Sequence, residues 1–262
     1  MHSILRNVTR GQIQREPFPH IVVKNALDPD LYRQLVDELP PLEVLTKGRR
    51  AGNNRRFAYW AVNLLNEPRV TPQWKAFINL HTSNLFYRQI IDLLGDEILR
   101  VNPELKLRYG NLTGLKTGLR KVDTYQGADV LLEARIDVNT PVRRKPTSVR
   151  GAHLDNPNKL FTGLLYLRRP DDDWQGGNLN FYRYRTRPTR GSFRGFDVAP
   201  KCVEVVKSIE NEGNTLVLFV NSFDSVHGVS TRSVTERSRH LAFFTAETHN
   251  SPCCNLQPYQ VR

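Results

Sequence analysis

A chain of 262 residues with 38 Lys and Arg against 26 Asp and Glu carries a net charge of +12, and 39% of it is hydrophobic. That length can bury a sizeable core, and that hydrophobic content excludes a disordered chain. The longest apolar runs, such as LVLFV at 216–220, are too short to cross a bilayer, and the opening MHSILRNVTRGQIQREPFP lacks an apolar secretory segment, so no membrane partner and a cytoplasmic location are expected. The three cysteines form no CxxC: Cys202 stands alone and Cys253 and Cys254 are adjacent, so neither a disulfide framework nor a zinc knuckle is indicated.

In chain order, PFPHIVVKNAL (17–27) reads as a short β-like entry. DPDLYRQLVDELPP then supplies an N-cap at Asp28, Pro29 at the first helical position and a stop at Pro40–Pro41, with Leu31, Leu35 and Leu39 on one face. KGRRAGNNRRFAYW reads as a basic loop. A longer helix is predicted from Thr71 and Pro72, with Trp74, Phe77, Ile78, Leu85, Ile90, Ile91 and Leu94 keeping a helical period and Gly95 as an interruption or C-cap.

From about residue 105 the pattern changes to short β-type runs divided by turn residues: 128–139, 160–167, 178–185, 202–209, 214–220 and 240–246. Strands at this spacing argue for a sandwich or barrel. The expected architecture is mainly β with N-terminal helices, a jelly roll of the double-stranded β-helix or cupin-like kind. It is read as a single domain over 1–262, with mainly helical support at 1–104, the jelly-roll core at 105–250 and a C-terminal tail at 251–262. The Gly176–Gly177 pair is read as a hairpin turn, and Trp174, Tyr182 and Tyr184 as packing residues.

The chemistry-bearing stretch is GAHLDNPNKLFTGLLYL, 151–167. On an extended chain residues i and i+2 face the same side, so His153 and Asp155 can both point to one centre. His227 follows the run NTLVLFV, 74 positions beyond His153. Two imidazoles and one carboxylate on one face leave three positions open on an octahedral ion, which favours non-haem Fe(II) handling O2 over a tetrahedral zinc site. His20, His81, His240 and His249 read as structural. Past His227 come Arg232, Arg237 and Arg239, and a buried arginine fork suits a carboxylate. Both Arg237 and Arg239 can reach inward if a strand has already begun there.

HLDNPNKLFTGLLYL, DDDWQGGNLNFY and NTLVLFVNSFDSVHGVSTR, in that order across roughly 125–247, resemble the 2-oxoglutarate- and Fe(II)-dependent oxygenases of the prolyl-hydroxylase-like branch. The resemblance implies a dioxygenase that hydroxylates an unactivated C–H and releases succinate and CO2. It implies Fe(II) held by His153, Asp155 and His227, and 2-oxoglutarate chelating that iron. The far carboxylate would go to an arginine ten to twelve residues beyond His227: Arg237, or Arg239, which is favoured because it directly precedes the apolar strand. Arg150 is a further anion contact. The tyrosine that some relatives place in the strand after H-x-D aligns here with Leu165, Tyr166 standing beside it. Asp155, where halogenating members carry a small residue, favours hydroxylation.

The substrate class is a small metabolite, an amino acid or a residue borne on a peptide or carrier. The basic loop 48–56 and the arginine-rich segment 183–194 suggest that it is anionic or tethered to an acidic carrier, whereas no nucleic-acid-binding signature accompanies the charge. The competing readings are a cupin-type metal-binding jelly roll without 2-oxoglutarate turnover and a non-catalytic basic scaffold.

Overall fold

A computed structural model describes residues 1–249; Cys253, Cys254 and the expected tail at 251–262 lie outside the described residues. Six helices, α1 (Pro29–Asp37), α2 (Leu42–Thr46), α3 (Ala61–Asn66), α4 (Pro72–His81), α5 (Asn84–Val101) and α6 (Pro103–Tyr109), occupy half of the first 110 residues. The strands are β1 (His20–Val23), β2 (Arg56–Tyr59), β3 (Thr117–Leu119), β4 (Val130–Asn139), β5 (Lys159–Tyr166), β6 (Leu179–Tyr184), β7 (Phe193–Arg194), β8 (Asp197–Val198), β9 (Val203–Ile209), β10 (Leu216–Val220), β11 (His227–Val229) and β12 (Arg239–Thr248).

The large sheet runs β1-β10-β5-β12-β4-β2, with β3 added in parallel to β4, and it faces a small sheet ordered β11-β6-β9. Antiparallel strands far apart in sequence thus alternate between two facing sheets, which is a double-stranded β-helix. The six strands expected from the β-type runs are β4, β5, β6, β9, β10 and β12. β1 and β2, from the mainly helical third, extend the large sheet at its two edges, so the stretch read as a basic loop ends in a strand.

Two cores explain why the strands are apolar on both faces. Val130, Leu132, Ala134, Ile136 and Val138 of β4, with Ala242, Phe244 and Ala246 of β12, pack against the helices. Leu164, Tyr166, Leu241 and Phe243 face the small sheet with Leu179, Phe181 and Phe219. β4 and β5 are buried along their whole length and β12 everywhere but at His240, so alternation in them sorts residues between two cores rather than between core and water.

The helix starts follow their caps. Asp28 accepts hydrogen bonds from the N–H groups of Asp30 and Leu31, and Thr71 from that of Trp74. The long helix predicted from Thr71 is two helices. Ser83 caps a second one through the N–H of Phe86, and Gly95 lies inside α5 rather than ending it. The break comes from local side-chain capping at Thr82–Ser83, which competes with helix continuation.

His81, at the end of α4, is 1% exposed and links this layer to the N-terminus. Its Nε2 accepts from the N–H of Ile4 at 3.1 Å, so its Nδ1 carries the proton donated to the Phe77 carbonyl at 2.7 Å. Burial pulls its pKa down to about 4. The unfolded histidine therefore takes up a proton first, so the stabilisation is present above about pH 6.5 and is lost as pH falls from there toward 4. Its size is about 3 kcal/mol, and thermal melts across that window should show a shallower acid slope in His81→Gln than in the wild type.

Gly176 and Gly177 do not form a hairpin. Both have positive φ (76° and 70°), and the N–H of Gly177 donates to the Thr231 carbonyl at 3.2 Å. A Cβ on Gly176 would lie 1.9 Å from that carbonyl oxygen, so the pair exists for backbone approach to the segment between β11 and β12. Gly176→Ala is expected to cost about 3 kcal/mol and to lower Tm by roughly 6 to 12 °C in calorimetry.

Candidate metal centre

His153 belongs to no long strand, yet it is placed by a strand-like exchange. Its N–H donates to the His227 carbonyl at 2.8 Å, and the N–H of His227 donates to the His153 carbonyl at 3.0 Å. A hydrogen-bonded antiparallel pair puts its two side chains on the same face, and the two rings lie 4.3 Å apart between centroids. Close approach is allowed by Gly228, where a Cβ would lie 2.5 Å from the Gly151 carbonyl oxygen. Asp155 follows two residues on, facing the same way, while Leu154 between them packs with Phe193 and Val226.

The ligand atoms of His153, Asp155 and His227 all lie within 4.8 Å of one another, and all three side chains are buried. Each imidazole is pinned from behind: Nδ1 of His153 meets the Gly151 carbonyl at 2.8 Å and Nδ1 of His227 the Ser225 carbonyl at 2.9 Å. A carbonyl only accepts, so each Nδ1 carries the proton and each Nε2 presents its lone pair to the common centre. Burial, reinforced by His227 and Arg150, pushes His153 well below the ordinary histidine pKa, and burial lowers His227. Burial opposes ionisation of Asp155, but the Lys159 ammonium, helped by the Thr162 hydrogen bond, outweighs it and holds the carboxyl well below its usual range. Two neutral imidazoles and an ionised carboxylate are the forms a divalent cation requires. The same shifts move the pH at which protons displace an ion to below the ordinary histidine range.

Asp155 is held by two residues that the sequence reading did not single out. The Thr162 hydroxyl donates to its Oδ2 at 2.6 Å, and Nζ of the buried Lys159 lies 3.1 Å from the same oxygen. Both come from β5, directly after the H-x-D turn.

A cavity of about 70 Å³ adjoins the triad, walled by Val149, Leu164, Leu179, Val229, Leu241 and Phe243. Arg239 closes it. Arg239 is 4% exposed, its Nη1 donates to Oδ1 of Asn139 at 3.0 Å, and its guanidinium lies 5.2 Å from the Tyr166 ring centroid. With its amide oxygen turned toward them, Asn211 accepts from Nε of Arg239 at 3.1 Å and from the Trp174 indole at 3.2 Å. The buried Tyr166 hydroxyl has no hydrogen-bond partner among the described residues. Tyr166, not Leu165, faces this side, because β5 alternates between the two cores and sends Leu165 toward the helices.

The other arginines are placed differently. Arg237 precedes β12 and turns to solvent, where it pairs with Asp171 at 3.0 Å, so it does not share the face of Arg239. Arg232 is 2% exposed but lies behind the cavity wall. Its Nη2 donates to the Thr140 carbonyl and to Asn54 Oδ1 at 3.2 Å, and its ring neighbour is Trp174 at 5.3 Å. Arg150 stands at the cavity mouth, half-buried, 3.6 Å from Asp197. Opposite it, Arg56 from β2 also lines the mouth and binds Asp137 at 2.5 Å, a carboxylate shared with Arg135 at 2.7 Å. Asp137, Asn139 and Arg135 lie on alternate positions of β4, and this period-two run of polar residues in LLEARIDVN was the available signal for an inward polar face.

No family model matches the chain, and no curated protein matches it. Among solved structures, the chain is similar to a prolyl-4-hydroxylase from Pseudomonas putida (13% identity, TM-score 0.43, 88% of this chain and 93% of that one). It is also similar to a prolyl 4-hydroxylase from Phytophthora capsici (14%, TM-score 0.49, 87% and 58%). A third is a prolyl hydroxylase from Trichoplax adhaerens in complex with a hypoxia inducible factor oxygen degradation domain peptide fragment (14%, TM-score 0.46, 87% and 83%). Among the described residues no helix is long and apolar enough to cross a membrane.

Proposed function

We propose that this chain is a 2-oxoglutarate-dependent non-haem Fe(II) dioxygenase that hydroxylates an unactivated C–H, releasing succinate and CO2. One observation carries the reading. Two opposed histidines with Nε2 free and one ionised carboxylate converge beside a cavity that a buried arginine, Arg239, also lines. A facial set of two imidazoles and a carboxylate suits Fe(II) with open positions for a chelating keto acid and O2. Ferrous iron, when bound there, supplies the oxygen activation and the C–H oxidation.

The chain's own residues do the placing. His153 and His227 are locked in the ligating tautomer by backbone carbonyls that side-chain mutation cannot remove. Thr162 and Lys159 fix the rotamer of Asp155 and compensate its charge. Arg239 gives the far carboxylate of 2-oxoglutarate a fork in a setting where a cation otherwise has only amide and phenol neighbours, and the orphaned Tyr166 hydroxyl adds a donor. The aliphatic walls and Phe243 keep water from the reacting C–H. A cupin-type site without the keto acid would leave Arg239 buried with only Asp137, a carboxylate already paired with Arg56 and Arg135, to balance it, which disfavours that reading. The test is succinate release that requires both Fe(II) and 2-oxoglutarate; metal-bound protein showing none, coupled or uncoupled, contradicts the proposal.

A further inference from the structure

We propose that the mouth of this cavity is a docking surface for an acidic, extended peptide segment, which presents the residue to be oxidised. The inference rests on the oxygenase reading for what happens inside the cavity, but not for the binding itself.

Two loops meet at the mouth. Residues 47–56 (KGRRAGNNRR) hold five basic side chains and 143–150 (RRKPTSVR) hold four, and neither stretch has an acidic residue. They are tied together by main-chain and side-chain bonds: the Asn54 N–H to the Pro141 carbonyl at 2.8 Å, Asn54 Nδ2 to the Thr147 carbonyl at 3.0 Å, and the Arg143 N–H to Asn53 Oδ1 at 2.6 Å. Arg56 and Arg150, the last residue of each stretch, line the cavity. Arg56 is neutralised by Asp137, Arg150 faces Asp197, and Arg143 faces Glu236. Lys47, Arg49, Arg50, Arg55, Arg144 and Lys145 are exposed and make no ion pair among the described residues. Such a field of fixed cations is complementary to a chain of negative charges, not to one anionic metabolite. The cavity is too small to engage them all, since its roughly 70 Å³ lies beneath them.

A peptide is favoured over a nucleic acid by two features. Single strands of nucleic acid are held by stacking bases on aromatic rings, and the rim offers none. Phe57 is 3% exposed and already covered by Arg49 at 4.9 Å and Arg55 at 5.4 Å, and Trp60 is covered by Arg120 at 4.6 Å and Lys121 at 3.9 Å. In addition, the loop 47–56 runs straight into β2, the last strand of the large sheet, whose outer edge pairs with no strand among the described residues. An unpaired edge beside the mouth accepts an extended backbone by strand addition, with the cations reading alternate acidic side chains.

The experiment measures binding of a fluorescein-labelled peptide alternating Glu and Gly to the full chain, by anisotropy, without metal or 2-oxoglutarate. A Gln–Gly peptide and a single-stranded oligonucleotide serve as comparison probes. The acidic peptide is expected to bind, to weaken steeply with salt, and to lose about tenfold in affinity in Arg144→Glu/Lys145→Glu. The charge-matched control Arg88→Glu/Lys106→Glu, on α5 and α6, is expected to bind as the wild type does, with Tm of both variants unchanged. Absence of acidic-peptide binding, equal weakening in the control, or tighter binding of the oligonucleotide overturns the proposal. Because the assay contains no iron, its failure is separate from a failure of succinate release, which would sink the oxygenase reading alone.

Discussion

Replacing His227 with alanine is expected to abolish tight ferrous-ion binding and to reduce succinate formation by roughly 10³-fold or more, about 4 kcal/mol of lost transition-state stabilisation. The side chain contributes one of three ligand atoms within 4.8 Å of one another, so its loss leaves two donors, too few to retain the ion. The backbone exchange between His153 and His227 survives the substitution, because it uses only N–H and carbonyl groups. Fold and metal binding are therefore separable: the variant should keep the wild-type circular dichroism spectrum while equilibrium dialysis shows the iron gone. Wild-type turnover in this variant would mean that the three side chains are not a catalytic metal site.

Arg239→Gln is expected to raise the 2-oxoglutarate KM by roughly 100-fold, about 3 kcal/mol, while leaving ferrous binding intact. The guanidinium is buried and held in plane by Asn139 and Asn211, so the ordering of the fork is already done in the protein. Burial lowers its pKa, with Tyr166 and Asp137 opposing that shift, and an arriving carboxylate supplies the missing counter-charge. Arg239→Lys should recover only part of the affinity, because an ammonium cannot make two parallel bonds. Arg237→Gln, which breaks only an exposed pair with Asp171, should change KM by less than about twofold. Steady-state kinetics across the three variants discriminates the two arginines that the sequence left open.

The strands that carry the fold were legible because each is a β-rich run between turn residues, and the three residues whose ligand atoms the fold brings together because H-x-D and a distal histidine sit at the ends of such runs. β11 was not legible: three residues, His227–Val229, in a polar stretch have no periodicity to detect. Nor was β2, since the arginines before Phe57 mask a strand whose apolar residues are only three. The missed parts of the site share one physical cause. Lys159, Arg135, Asp137 and Asn139 are polar residues at inward positions of strands buried on both faces, where pattern alone cannot say which face is the site. Arg237 and Arg239 stayed equivalent in sequence because their facing depends on where β12 begins, and strand boundaries are set by pairing with β4 rather than by composition.

The most direct measurement of the central claim is an anaerobic titration of the metal-free wild-type protein with Fe(II) in the presence of 2-oxoglutarate, following the weak visible charge-transfer band. The band should rise to saturation at a single ferrous ion per chain and be missing in Arg239→Gln at keto-acid concentrations that saturate the wild type. No band in the wild type, or the same band in His227→Ala, would contradict the assignment of His153, Asp155 and His227 as the iron site.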